Sequence, residues 1–436
     1  MRRRVLVALV LTASACASTT KGASDTSAIP PNTTAAAVTV ASATTPVTTL
    51  TTTEAPTTTT AAPSSTSAPA NFTEFKIVSD ADLYVPPSPL PAGKPGDIVQ
   101  ITAPNQRPGG SMVIKVLYLS TTAGGKPTAV SGLVYLPTST KPDAPILAYA
   151  HGTTGLDDRC APSKQASNGE PDQAAAQFLS AGYIVTATDY EGLGTPGVHP
   201  YVVGRSEGPS VLDSIRVARN LTRTTGKSVV WGHSQGGGAT LWAAELAPTY
   251  APDAQVVGVA AGAPAVELKL LSAALRTSPF FGYIFMAGAG FKAAYPDLDE
   301  SQVYTPAGVE AVDFASKNCF ETVAQFQGKP PKDFIKADPA SVEPFATYLE
   351  DNTPGNLATT VPIFIYHGDK DEQIPVIGSL LMFNRACKNG GFTIQRQTYP
   401  DQTHVSVIAK AMPDIKSYLA DRLAGKPAPT TPCPTA

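Results

Sequence analysis

The chain has 436 residues, a formal net charge of −3 and only 15% charged residues. That length allows one large domain with an insertion, or two domains. The near-neutral balance gives no basic footprint for nucleic acid.

Met1-Arg2-Arg3-Arg4 is a basic start, and Val5 to Leu11 is an apolar run too short to span a bilayer. Ala13-Ser14-Ala15 is a small-residue cleavage signal before Cys16, so residues 1–15 are expected to be a secretory signal peptide. Ala-x-Ala suits ordinary cleavage. Ser14-Ala15-Cys16 also resembles a bacterial lipoprotein box, although Ala13 stands where that box usually has Leu. Cysteine parity favours the second route: lipid on Cys16 leaves Cys160, Cys319, Cys387 and Cys433, an even set for an oxidising compartment. The expected location is therefore extracytoplasmic, on a membrane surface or cell envelope, with no spanning helix needed. Residues 16–70 are nearly all Thr, Ala, Ser and Pro and read as a disordered tether.

From Phe72 the composition turns globular. Asp97 to Thr102, Met112 to Thr121 and Ala129 to Leu136 read as strands whose Gly/Pro turns suit antiparallel hairpins. Ala144 to Ala150 reads as a buried strand feeding the glycine loop His151-Gly152-Thr153-Thr154-Gly155. A helix over Pro171 to Ala181, a strand over Tyr183 to Thr188 and a helix over Ser206 to Thr225 follow. Then come the apolar run Ser228 to Trp231, the stretch Gly232-His233-Ser234-Gln235-Gly236, a small-residue helix, and a strand over Val256 to Ala261. The alternation stops near Gly262 and resumes with a strand over Val361 to Tyr366, a helix over Val376 to Cys387, a strand over Phe392 to Tyr399 and a helix over Val405 to Leu423. Strands alternating with helices predict an α/β fold with a mainly parallel sheet and an antiparallel start. The predicted architecture is an α/β core over residues 71–264 and 357–436, interrupted by a mainly helical cap over 265–356. The cap's aromatic patch, from Phe280 to Tyr295, reads equally well as an acyl-binding wall or as the cap's own core.

A strand turning directly into a helix strains the residue at the corner, and Gly232 and Gly236 remove side chains that would clash there. Ser234 would sit exposed at a helix N-terminus, where developing negative charge is favoured. A serine nucleophile needs a base and a carboxylate to orient it. In the chain order serine, acid, histidine, only His367 and His404 come late enough. His367 ends a buried strand, so His404 is the expected base. Asp371 fits the acid position before Ile374-Pro375, ahead of Asp369, which would hold the turn, and of Asp401. Asp189 precedes the serine and is expected to brace a loop. His233 is expected to point away from the nucleophile, and His199 lies in a Pro/Gly loop. The oxyanion donors would be the N–H groups of Gln235 and of Thr153, or else of Thr154. No metal-ligand spacing and no dinucleotide or phosphate loop is present, so no cofactor is expected.

His151-Gly152-Thr153-Thr154-Gly155 with Cys160-Ala161-Pro162-Ser163, Asp189-Tyr190-Glu191-Gly192-Leu193-Gly194, Gly232-His233-Ser234-Gln235-Gly236-Gly237, His367-Gly368-Asp369-Lys370-Asp371 and His404 together resemble the secretory lipase family of fungi and actinobacteria. This is the α/β-hydrolase group similar to Candida antarctica lipase A. The resemblance covers about Ile77 to Leu423. It implies a triad of Ser234, Asp371 and His404, a helical cap between serine and acid, and hydrolysis of apolar acyl esters. It also implies disulfides Cys160–Cys319 and Cys387–Cys433. An acyltransferase using the same triad, or a non-catalytic surface-binding protein on the same scaffold, are the competing functions.

Overall fold

The computed structural model describes residues 72–107, 110–165 and 169–434. The expected signal peptide, Cys16 and the tether lie outside the described residues, apart from the entry into the globular region at Phe72.

Eleven strands join in one sheet. In chain order they are β1 (Ile77–Val78), β2 (Ile98–Thr102), β3 (Asn105–Gln106), β4 (Met112–Thr121), β5 (Pro127–Leu136), β6 (Ile146–Ala150), β7 (Ile184–Thr188), β8 (Ser228–His233), β9 (Val256–Gly262), β10 (Ile363–Gly368) and β11 (Ile394–Tyr399). Their spatial order is β1-β2-β4-β5-β7-β6-β8-β9-β10-β11, with β3 paired to β4. From β7 to β11 every neighbour is parallel. The β2-β4-β5-β7 edge is antiparallel, as the Gly/Pro turns predict. Strands β6, β7, β8 and β10 are buried along their whole length. That is why they read as unbroken apolar runs rather than alternating ones.

The helices are α1 (Asp80–Leu83), α2 (Glu170–Ala176), α3 (Gly204–Thr222), α4 (Gln235–Tyr250), α5 (Leu268–Leu275), α6 (Tyr283–Ala294), α7 (Pro306–Ser316), α8 (Glu321–Phe326), α9 (Phe345–Asp351), α10 (Val376–Asn389) and α11 (Ser406–Leu423). Helices α3, α4 and α10 share one core with the sheet, through Ile215, Trp242, Phe383 and Val230 among others. Helices α2 and α11 cover the opposite face through Ala175, Ile415 and Leu419. The helix expected over Pro171 to Ala181 is shorter. It ends at Ala176, and a separate 3-10 turn follows over Leu179–Ala181 before the left-handed Gly182. Two short strands, β1 and β3, escaped the sequence reading because two residues carry no periodicity.

Between β9 and β10 the chain forms only helices and loops among the described residues. Helices α5 to α9 pack on one another around Phe281, Phe285, Val303, Val312 and Phe326, a core separate from those of the sheet. The aromatic patch is therefore in large part this block's own interior. Its inner surface nevertheless also lines a cavity beside Ser234.

The block is attached to the core at several points. Cys319 forms a disulfide with Cys160, and Leu156 N–H donates to Asn318 O at 3.0 Å. Asn352 receives Gly204 N–H on its side-chain oxygen at 3.0 Å, and Trp242 Nε1 donates to its backbone oxygen at 3.3 Å. Glu245, buried on α4, accepts from Gly355 N–H at 2.5 Å and Leu357 N–H at 3.0 Å, where the chain returns to the sheet. The second disulfide, Cys387–Cys433, fastens the C-terminal segment to α10.

Candidate active site

Strand β8 ends at His233 and α4 begins at Gln235, so a single residue makes the reversal. That residue is Ser234, at φ 61° and ψ −121°. A non-glycine residue held there is strained, and such strain gathers at functional sites. The flanking glycines answer a steric demand. A Cβ on Gly236 would lie 1.9 Å from Ala150 O, and one on Gly232 would lie 2.3 Å from Gly236 O. Ser234 is pinned by its N–H to Gly262 O at 2.9 Å and by its C=O, which accepts from Ala265 N–H at 3.1 Å.

Asp371 and His404 hang from the ends of the adjacent parallel strands β10 and β11, whose register pairs Gly368 with Tyr399. His404 Nδ1 lies 2.7 Å from Asp371 Oδ2. The same carboxylate accepts from the N–H groups of Gln373 and Ile374 at 2.9 and 2.8 Å, and from His367 Nε2 at 3.1 Å. Burial alone would raise the Asp371 pKa. The hydrogen bonds from His367 and His404, with the charge His404 can carry, outweigh that and hold it well below the usual carboxylate range. His367 is thus a support for the acid: its Nδ1 meets Ser379 Oγ at 3.0 Å, and Arg396 donates to that hydroxyl.

The competing carboxylates are elsewhere. Asp369 accepts from Asp401 N–H at 2.7 Å in an exposed turn. Asp189 is buried among Ser131, the Ser163 hydroxyl and the Ser163 N–H, which it accepts at 2.9 Å. Both positions match the turn-holding and bracing roles read from the sequence. His233, expected to point away from the nucleophile, packs its ring against that of His404 with centroids 4.7 Å apart. Burial, then the neighbouring His404, push its pKa well down, so it stays neutral beneath that ring.

On the other side of Ser234, the loop after β6 carries Thr153, whose hydroxyl meets Tyr201 Oη at 2.7 Å. The side chain of Gln235 is buried and donates to Glu207 Oε1 at 2.8 Å, with His199 Nε2 also at 2.8 Å. Sequence reasoning passed over Glu207 and placed His199 only in a Pro/Gly loop. A single Glu on a helix gives no sign of facing inward, although Gly204, Gly208 and the small Ser206 and Ser210 around it are what a tightly packed face needs.

Ser234 opens on a cavity lined mainly by apolar side chains that include Leu268, Leu271, Leu275, Ile284, Phe291 and Leu349. Among the described residues no group of three or more His, Cys, Asp or Glu side chains could hold a metal ion, and no helix is long and apolar enough to cross a membrane.

The chain is 30% identical over 337 residues to the secreted triacylglycerol lipase LIP4 of Malassezia globosa, covering 72% of this chain and 73% of that one. It is 26% identical over 376 residues to a Mycobacterium tuberculosis protein called a probable inactive lipase, covering 80% and 83% of the two chains. Among solved structures it resembles Candida antarctica lipase A, with a TM-score of 0.71 at 21% identity over 81% of this chain and 88% of that one, a likeness that concerns the fold. The family profile described as "Secretory lipase" matches residues 170–431, more than half of the chain. The chain belongs to the secretory lipase family.

Proposed function

We infer that the chain is a carboxylic-ester hydrolase of the extracytoplasmic space, forming an acyl-enzyme on Ser234 with apolar acyl groups. The observation that carries this reading is the 2.7 Å contact between His404 Nδ1 and Asp371. It fixes the tautomer: Nδ1 donates to the carboxylate, so Nε2 keeps a lone pair for a proton.

In the reaction, Ser234 Oγ attacks the ester carbonyl carbon while His404 Nε2 takes its proton. Asp371 stays ionised and stabilises the imidazolium. The carbonyl electrons move to oxygen, and the N–H groups of Gln235 and Thr153 receive the oxyanion at the start of α4. Collapse breaks the ester C–O bond, and His404 returns the proton to the departing alcohol. Water then repeats the sequence against the acyl-enzyme and frees the acid.

The apolar cavity beside Ser234 supports an apolar acyl group as the part of the substrate that enters it. The helical block over residues 265–356 acts as the cap over that cavity. Cys16 carries the lipid that retains the protein at the membrane surface, with residues 16–70 as spacer. A diacylated Cys16 would label with a radioactive or alkyne fatty acid, and Cys16→Ser would release the protein into the medium.

The reading is tested by hydrolysis of p-nitrophenyl esters of rising chain length, with Ser234→Ala beside the wild type. Loss of hydrolysis in the variant at every chain length is expected. An undiminished rate overturns the nucleophile.

A further inference from the structure

We propose that Glu207 is a positioning residue for this site: its buried carboxyl braces both of the backbone donors that receive the oxyanion. The proposal rests on the acyl-enzyme reading above and extends it to a residue that touches neither substrate nor reacting atoms.

Glu207 lies in the first turn of α3 and is 2% exposed. Its Oε1 accepts two hydrogen bonds, from Gln235 Nε2 at 2.8 Å and from Val202 N–H at 3.0 Å. The first reaches one donor directly, since on the acyl-enzyme reading the backbone N–H of Gln235, next after Ser234, is one of the two that receive the oxyanion. The second N–H of the Gln235 amide meets His199 Nε2 at 2.8 Å, and His199 Nδ1 donates to Glu191 O at 2.9 Å. Both hydrogens of the Gln235 amide nitrogen are thereby engaged, and the His199 ring is in one tautomer. Burial pushes the His199 pKa down to about 3, which keeps it neutral and able to accept.

The second hydrogen bond reaches the other donor through the chain. Val202 stands at φ 55°, a left-handed conformation that a β-branched residue rarely adopts. It is held there by its bond to Glu207. The residue before it, Tyr201, is buried and its hydroxyl meets Thr153 Oγ1 at 2.7 Å. One carboxyl therefore stands behind Gln235 on one side and, by way of Val202 and Tyr201, behind Thr153 on the other. Tyr201 and Val202 also line the cavity beside Ser234.

The charge state fits the role. The titratable groups around Glu207 are His199 at 3.7 Å, Tyr190 stacked on His199, and Tyr201. The histidine is neutral and the phenols are pushed above their ordinary range, so none supplies a positive charge at neutral pH. Burial raises the Glu207 pKa to about 8 against the hydrogen bonds from Gln235 and Val202. Below that pH the brace is neutral and sets no negative charge behind the oxyanion; above it, ionisation opposes the charge that develops there.

The experiment measures kcat and KM of the full secreted chain on p-nitrophenyl butyrate, together with the inhibition constant of an alkylboronic acid, whose tetrahedral adduct needs the same donors. In Glu207→Ala kcat should fall by roughly 10- to 100-fold with KM little changed, and boronate inhibition should weaken in parallel. Glu207→Gln, which keeps the acceptor but cannot ionise, should hold most of the rate at pH 7 and lack the decline expected of the wild type above about pH 8. Gln235→Ala keeps its backbone N–H and serves where Glu207→Ala does not fold; it should lower kcat by a similar factor. Wild-type kcat and boronate affinity in folded Glu207→Ala, or in Gln235→Ala, overturn the proposal. So does an alkaline decline unchanged in Glu207→Gln. Ser234→Ala run in parallel separates the two readings: if it is inert while the Glu207 variants are normal, only the brace fails.

Discussion

His404 Nδ1 and Asp371 Oδ2 meet at 2.7 Å although they lie 33 positions apart. The meeting is a consequence of register. Strands β10 and β11 are parallel neighbours that end level, and each releases its loop at the same edge. Asp371→Asn keeps the shape but presents an amide where an acceptor is needed, so His404 loses its preferred tautomer. We expect kcat to fall by about 10³- to 10⁴-fold with the fold intact. Asp369→Asn, in the exposed turn, should leave kcat close to wild type. Steady-state kinetics on a short ester decides between the two carboxylates.

On the proposed reading, the cavity beside Ser234 limits the acyl chain that fits. Ala287, on α6, lines it with Leu275 and Gly288. Ala287→Phe should fill part of the slot and shift the preferred p-nitrophenyl ester towards shorter chains, with the butyrate rate retained. A chain-length profile identical to that of the wild type would place the acyl group elsewhere.

The Cys160–Cys319 bond closes a loop of 159 residues. On the chain-entropy account such a loop is worth roughly 5 kcal/mol, an upper figure where the reduced chain keeps structure. Replacing both cysteines by serine should lower the melting temperature by several degrees. The effect should exceed that of losing Cys387–Cys433, whose sequence separation is 46. Thermal melts of the two double variants, read side by side, test that ranking.

Glu245 gives a pH signature to stability. Burial, against its bonds to Gly355 and Leu357, raises its pKa from 4.5 to about 7. The native state then binds more protons than the unfolded one between these values, so stability falls as pH rises through that window. A shift of this size corresponds to on the order of 3 kcal/mol between the ends of the window. Glu245→Gln cannot ionise. The gap between the wild-type and Glu245→Gln melting temperatures should therefore change between pH 4.5 and 8, in the direction that disfavours the wild type at high pH. A constant gap would contradict the assignment.

Much of the core could be read from residues alone because its strands are buried on both faces. Ile146 to Ala150 and Ile363 to His367 need no partner to be recognised as apolar runs. The corner at Ser234 was legible because its two glycines answer a local steric demand. Asp371, the expected acid, was singled out by its place in the chain order and by Ile374-Pro375 after it. What stayed hidden depends on distant partners. His367 reads as a strand-end residue, yet its ring supports Asp371. Glu207 lies 28 positions from Gln235, and nothing on α3 announces that its carboxyl faces inward. The aromatic patch was ambiguous for a different reason: Ile284 and Phe291 belong to the block's interior and line the cavity at once.

The link at Cys319 has a further mechanical bearing. The helical block is joined to the rest of the molecule where its chain departs, where it comes back, and by a covalent stitch between those two ends. A piece sewn down at separated places is restrained from swinging aside as a single door. On the proposed reading, we expect the way to Ser234 to widen by local shifts of individual turns, with the ester threading between them.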